Sequence, residues 1–342
     1  MPKPYMSATG ITNPLTITLN TSHSASVSIA TIECTSYSLE IGDYIAISLG
    51  YDGSGTKVFE GYVKSTSKKV PEQTYSITAE DVLVRAVDYF LVSTNPDNPF
   101  TRHNISAEDL VGDLLAEASL TDYDYDSTSF TFATKQNLEV NLVSAYDYCK
   151  MIADLLTWHL YADEDGTVHF INRKPHVMVA GSPEDDQPHF QADPVGHNNK
   201  ILDNTTILTL NHTKSEKDLR NRIVVYGTEG VYASSSRSDS YDPDVRDFVN
   251  VLPGGYYKSA ALATYIIDDN DMADKTADYN LKLLNRLSVE LSAVVIGDPD
   301  LLARRVVHIH EPFLDIDDDY YIFSAEHNIS NAGYTTNLLM RK

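Results

Sequence analysis

The stretch Leu15-Thr16-Ile17-Thr18-Leu19 puts an apolar side chain at every second position and a hydroxyl between them. That period is the one at which a β-strand presents successive residues to opposite faces, so the stretch predicts a half-buried strand. The alternation returns at Ile45, Ile47 and Leu49, and again at Tyr75, Ile77 and Ala79. Between these runs lie turn formers: Ile41-Gly42-Asp43, Tyr51-Asp52-Gly53-Ser54-Gly55 and Lys69-Val70-Pro71-Glu72. Short strands separated by such turns predict a small barrel or sandwich over residues 12–95.

The periodicity then changes. Asn104-Ile105-Ser106-Ala107-Glu108-Asp109 leads into Leu110, Val111, Leu114 and Leu115, a helical spacing with Ser106 as N-cap and Asp109 as its N3 carboxylate. A second helix is expected from Ser144 to His159, with Tyr148, Ile152, Leu155 and Leu156 on one face. Tyr161-Ala162-Asp163-Glu164-Asp165-Gly166-Thr167-Val168-His169-Phe170-Ile171 follows, which reads as strand, Asp-Gly turn and strand. Residues 99–175 thus form an α+β module. The polar segment 176–204, with Gly181-Ser182-Pro183-Glu184-Asp185-Asp186, is expected to be a linker or surface loop. Strand patterns resume at 207–210 and 222–227, a loop at 228–257, a helix at 272–288, and strands at 289–296, 306–309, 320–329 and 335–340. The order is β-module, α+β module, β-module, and the first and last modules are candidates for one repeated fold.

At 342 residues the chain exceeds one ordinary domain, and its 42% hydrophobic content supplies real cores. Lys and Arg number 26 against 49 Asp and Glu, a formal charge of −23 spread along the whole sequence. Such a surface is a poor partner for nucleic acid or an anionic membrane, both of which need cationic contacts. No run approaches the roughly 20 apolar residues of a membrane span, and no cationic leader precedes an apolar core at the N-terminus. Cys34 and Cys149 match no metal or redox spacing and read as small buried residues of a protein made in a reducing cytosol.

Several clusters carry residue types capable of chemistry. Asp122-x-Asp124-x-Asp126 begins like a calcium loop, but Ser127 and Ala133 stand where the turn glycine and bidentate Glu belong. Asp317-Asp318-Asp319 fits an acidic turn between strands. His308-x-His310-Glu311 puts two imidazoles on one strand face and lacks a third ligand nearby. No nucleophile elbow, phosphate loop or dinucleotide fingerprint is present. No residue is therefore assigned a catalytic, cofactor-binding or metal-binding role, and no cofactor is expected. Twenty-two tyrosines against one tryptophan fit strand surfaces better than a sugar-stacking site.

Four segments, in order, resemble the tail hub or baseplate hub proteins of tailed bacteriophages and contractile injection systems. They are Phe59-Glu60-Gly61-Tyr62-Val63 with Tyr75-Ser76-Ile77-Thr78-Ala79-Glu80-Asp81; the helix and hairpin 152–171; Asp218-Leu219-Arg220-Asn221-Arg222-Ile223-Val224-Val225-Tyr226-Gly227; and Tyr320 to Ile329 with Gly333-Tyr334-Thr335-Thr336-Asn337-Leu338. One departure is Pro299-Asp300-Leu301-Leu302-Ala303-Arg304-Arg305-Val306, which lacks the family's glycine. The resemblance implies an α+β, β-rich fold with two small antiparallel β-barrel domains and helical α+β modules between and around them. The first barrel would occupy 1–98 and the second 205–342, with the 228–257 loop and the 272–288 helix inserted. It further implies a non-enzymatic virion protein, assembled in the host cytoplasm. Three copies would give six barrel positions around an acidic DNA channel, joining a six-fold tail tube or distal tail ring to a three-fold spike or fibre. DNA would only pass through, without sequence-specific binding, and no membrane insertion is expected. The alternatives are a polysaccharide hydrolase using a carboxylate pair and a β-rich fibre or adhesin module, although the repeats typical of fibres are missing.

Overall fold

The computed structural model describes residues 2–92, 100–128, 130–134, 137–171, 176–177, 189–190, 200–215, 217–228, 230–236, 258–285 and 288–341. The chain opens with β1 (Pro4–Ala8), β2 (Ile11–Ser22), β3 (Ile29–Tyr37), β4 (Tyr44–Tyr51), β5 (Ser54–Lys69) and β6 (Thr74–Asp81), followed by the short helix α1 (Val84–Asp88). The predicted alternation is visible in burial: Ile17 and Leu19 on β2, Ile45, Ile47 and Leu49 on β4, and Ile77 and Ala79 on β6 are all fully buried. Gly61 on β5 permits a close strand crossing, since a Cβ there would lie 2.1 Å from the Glu80 carbonyl oxygen.

The middle of the chain contributes α2 (Ala107–Glu117), α3 (Ala145–Leu156) and the hairpin β7 (His159–Ala162) and β8 (Val168–Ile171). Both helices begin where a serine caps them. The Ser106 hydroxyl accepts from the Asp109 N–H at 3.2 Å, and that of Ser144 accepts from the Asp147 N–H at 3.0 Å. The hairpin turn is held by Asp163 Oδ1, which accepts from the N–H groups of Asp165 and Thr167, with Gly166 at φ +82°.

The rest comprises β9 (Lys200–Leu202), β10 (Ile207–Ser215), β11 (Arg222–Tyr226), β12 (Tyr232–Ser236), β13 (Ser259–Ala263), α4 (Asn270–Leu284), β14 (Ser288–Ile296), β15 (Val306–Glu311), β16 (Ile316–Ser330) and β17 (Gly333–Arg341). Most of the expected linker 176–204 and of the expected loop 228–257 lies outside the described residues. The described part of that loop contains a strand, β12, whose serine-rich sequence hides its pairing with β11. β11, expected with the second β-module, instead sits between β12 and β13 in a separate sheet. Its Ile223 and Val225 enter a core shared with α2, α3, the β7–β8 hairpin and α4.

Twelve strands form one sheet in the order β1-β4-β5-β6-β3-β2-β16-β17-β14-β10, with β15 added to β16 and β9 to β15. Its ladders are antiparallel except for β9 on β15. The sheet has two halves of one topology. β4-β5-β6-β3-β2 in the first repeats as β15-β16-β17-β14-β10 in the second, and each half covers its own apolar core. Two small antiparallel β-barrel domains were expected; the described residues form two β-units of one sheet, with no closed barrel among them. In the first half β1 runs through the Thr9-Gly10 turn directly into β2, and no ladder joins the two.

Candidate assembly interface

The halves meet edge to edge. β2 pairs with the C-terminal part of β16 from Thr16 opposite Ser330 to Ser22 opposite Ser324. On the core side Ile17 faces Ile329 and Leu19 faces His327, all at most 2% exposed. The closing segment of the family pattern gathers here. His327 Nδ1 lies 2.8 Å from the Tyr334 hydroxyl and 3.2 Å from that of Thr336. Tyr334 belongs to the core of the first half and packs on Tyr51, whose hydroxyl donates to the Gly297 carbonyl at 2.9 Å. Burial pushes the His327 pKa down to about 4, so the imidazole is neutral at physiological pH.

Because the pairing is continuous, the halves also share one outer face. Directly opposed residues lie on the same side of a sheet. One row runs Glu80, Ile29, Asn20, Glu326, Asn337 and Val294; the next runs Thr78, Thr31, Thr18, Asn328 and Thr335. Within it the Thr18 hydroxyl donates to Asn328 Oδ1 at 3.1 Å. The face is mostly hydroxyl, amide and carboxylate. Two of its cations, Lys69 and Arg341, are ion-paired with Glu33 and Glu290.

Behind the joint, the segment between β14 and β15 locks the two halves to the β7–β8 hairpin. The Ala303 N–H donates to the Thr21 hydroxyl at 3.1 Å, and Arg304 donates to the Ser22 carbonyl at 2.9 Å while its guanidinium lies 4.4 Å above the Tyr161 ring. Arg305 pairs with Glu164, and Lys57 bridges Glu60 and Asp165. Arg304 has φ +76°, the left-handed conformation that glycine adopts freely. Arginine thus stands where the tail-hub pattern that this segment resembles has glycine, in a strained position offset by contacts with all three parts. Nearby, Asp81 ends β6 with its carboxylate fully buried, accepting from the N–H groups of Ser28 at 2.6 Å and Leu83 at 3.1 Å. Burial outweighs these hydrogen bonds and the Arg304 charge, raising its pKa to about 6. The adjoining cavity of about 40 Å³ is water-sized, far too small for a sugar ring.

The acidic run 317–319 lies on β16 and not in the turn, which is made by a 3-10 turn at Pro312–Leu314 and by Asp315 at φ +54°. That places it opposite the histidines on β15. His308 reaches Asp319 from Nδ1 at 2.8 Å and Asp317 from Nε2 at 2.9 Å, and His310 Nδ1 lies 3.1 Å from Asp317. The hydrogen bond to Asp319 leads in raising the His308 pKa, with the contact to Asp317 acting in the same direction. The register that brings the two runs together is tertiary and leaves no local sequence signal. Asp124 of the calcium-like run lies 3.5 Å from His169. Among the described residues no group is arranged to hold a metal, and no helix is long and apolar enough to cross a membrane. Cys34 and Cys149 are buried and free.

No protein-family model and no curated protein matches the chain. Solved structures do. A tail protein from Neisseria meningitidis aligns with TM-score 0.65 at 11% identity, covering 99% of this chain and 97% of its own. The 43 kDa tail protein of prophage MuSo2 from Shewanella oneidensis gives 0.64 at 12%, with 99% and 98% covered. An E. coli type VI secretion component, described as structurally similar to the T4 tail proteins gp27 and gp5, gives 0.56 at 9%, with 98% and 76% covered. The chain shares its fold with phage tail proteins and a tail-like secretion component, along essentially its whole length.

Two outcomes test the junction. Arg304→Ala keeps the strained backbone and loses the guanidinium contacts, so it is expected to destabilise by about 2–3 kcal/mol. Arg304→Gly should recover about 1 kcal/mol of this in urea unfolding, and equal stabilities would contradict the strain assignment. Asp81 binds its proton more tightly folded than unfolded, so its cost to stability is full above pH 6 and fades as pH falls toward 4. From pH 7 to 4 the stability gap between wild type and Asp81→Asn should therefore move toward wild type by up to about 3 kcal/mol. A pH-independent gap would show that Asp81 does not titrate in that window.

Proposed function

We propose that the chain is a structural protein of a phage-type tail, a hub whose three copies join a six-fold tail tube or distal tail ring to a three-fold spike or fibre. The observation that carries this reading is the internal repeat. Two β-units of one topology, joined edge to edge within one polypeptide, let three copies present six similar units. Such a ring is a heterologous association closed by symmetry. The whole-length likeness to tail proteins supports the same reading.

In this assembly the shared polar face lines the bore. Glu80, Glu33, Glu326 and Glu290 lie on it, in keeping with the formal charge of −23. A wall mostly of carboxylates, hydroxyls and amides, with Lys69 and Arg341 already ion-paired, gives passing DNA few cations to hold its phosphates through counterion release, so passage stays fast. The chain acts without catalysis, in the virion tail, alongside tube and spike proteins. A hydrolase reading finds no support at Asp81, a buried carboxylate with a raised pKa, because its oxygens are engaged and its cavity is water-sized.

Light scattering on the purified chain, followed by imaging of the particle, tests this. The expected result is a mass near three times 38.0 kDa and a ring whose bore is negative. A stable monomer at every concentration, or a bore lined by unpaired lysines, would overturn it.

A further inference from the structure

The intrachain joint specifies where the next joint must form. In the repeat, β10 takes the place of β2, and β5 the place of β16. β2 uses its outer edge to pair with the C-terminal part of β16. The equivalent edges are unpaired among the described residues: β10 has a ladder only with β14, and β5 beyond Val63 only with β6. We infer that β10 of one copy adds antiparallel to residues 64–69 of β5 in a second copy of this chain. This rests on the ring reading above and supplies its contact.

The register follows from the ladders. Asn20 connects through Ile29 to Glu80, and Asn211 connects through Ser292 to Leu339. Both Glu80 and Leu339 lie six residues after the start of their strands, Thr74 and Gly333. Glu326 pairs with Asn337, and Ser65 with Thr78, each four residues after those starts. Asn20 opposite Glu326 within the chain therefore predicts Asn211 opposite Ser65 between chains. The same rule sets Thr209 opposite Ser67, where the internal joint has Thr18 opposite Asn328.

The chemistry agrees. All four of these side chains are exposed, small and uncharged, so they hydrogen-bond across a new ladder without opposing like charges. Lysines at 64 and 68 on the β5 edge discourage indiscriminate strand addition by isolated copies. The new ladder would give the backbone groups of both edges partners equivalent to those at the internal joint.

Oxidative cross-linking tests the register. Ser65→Cys with Asn211→Cys in one chain, oxidised under native conditions, is expected to give disulfide-linked dimers and trimers on a non-reducing gel. The shifted pair Ser67→Cys with Asn211→Cys should give at least tenfold less. The native Cys34 and Cys149 are buried and stay out of the reaction. A trimer by light scattering that yields no disulfide, or equal yields from both pairs, overturns this joint and leaves the ring reading intact. A ladder of bands extending well past three keeps the joint and sinks the three-copy ring. A monomer without cross-links removes both.

Discussion

Everything in this molecule depends on one ladder, the antiparallel pairing of β2 with the end of β16. It joins strands about 310 residues apart and turns two β-units into one sheet. Backbone pairing sets the spacing of the units, and the apolar contacts of Ile17 and Leu19 with Ile329 and His327 set the register. A slip of one residue would send each of these side chains to the polar face. The neutral His327, hydrogen-bonded to Tyr334 and Thr336, completes the joint without a buried charge.

A second constraint comes from the helical parts. The core shared by α2, α3, α4 and the β11 sheet lies outside the twelve-stranded sheet, and the β7–β8 hairpin ties it to the joint through Arg304, Arg305 and Tyr161. The junction combines a strained arginine with a buried carboxylate of raised pKa, features that usually mark active sites. Here the contacts are inward and the cavity is water-sized, so the strain and the buried charge serve to orient one part against another.

Local signals were legible in the sequence wherever side-chain period or capping decides structure. The alternation at Leu15 to Leu19, the serine caps at 106 and 144 and the Asp-Gly hairpin all appear where expected. The repeat of the first and last modules was legible as order, not as identity. Long-range register was hidden. Nothing near Asp317 announces that it faces His308 and His310, and nothing in Arg222 to Tyr226 says that the strand leaves the second β-unit for another sheet. Closure was not legible either, because alternating strands fit an open sheet as well as a barrel. The assembly edge could not be read in advance, since its Ser, Thr and Asn side chains are those of any exposed strand.

Amide hydrogen exchange tests most directly the claim that one edge-to-edge contact is used both within and between chains. In the isolated chain, amides of residues 16–22 and 324–330 should exchange slowly, and the outward-facing amides of 64–69 and 209–215 quickly. On assembly the latter two segments should become protected together, to the level of the internal joint. Fast exchange at both segments in a fully assembled particle would contradict the account.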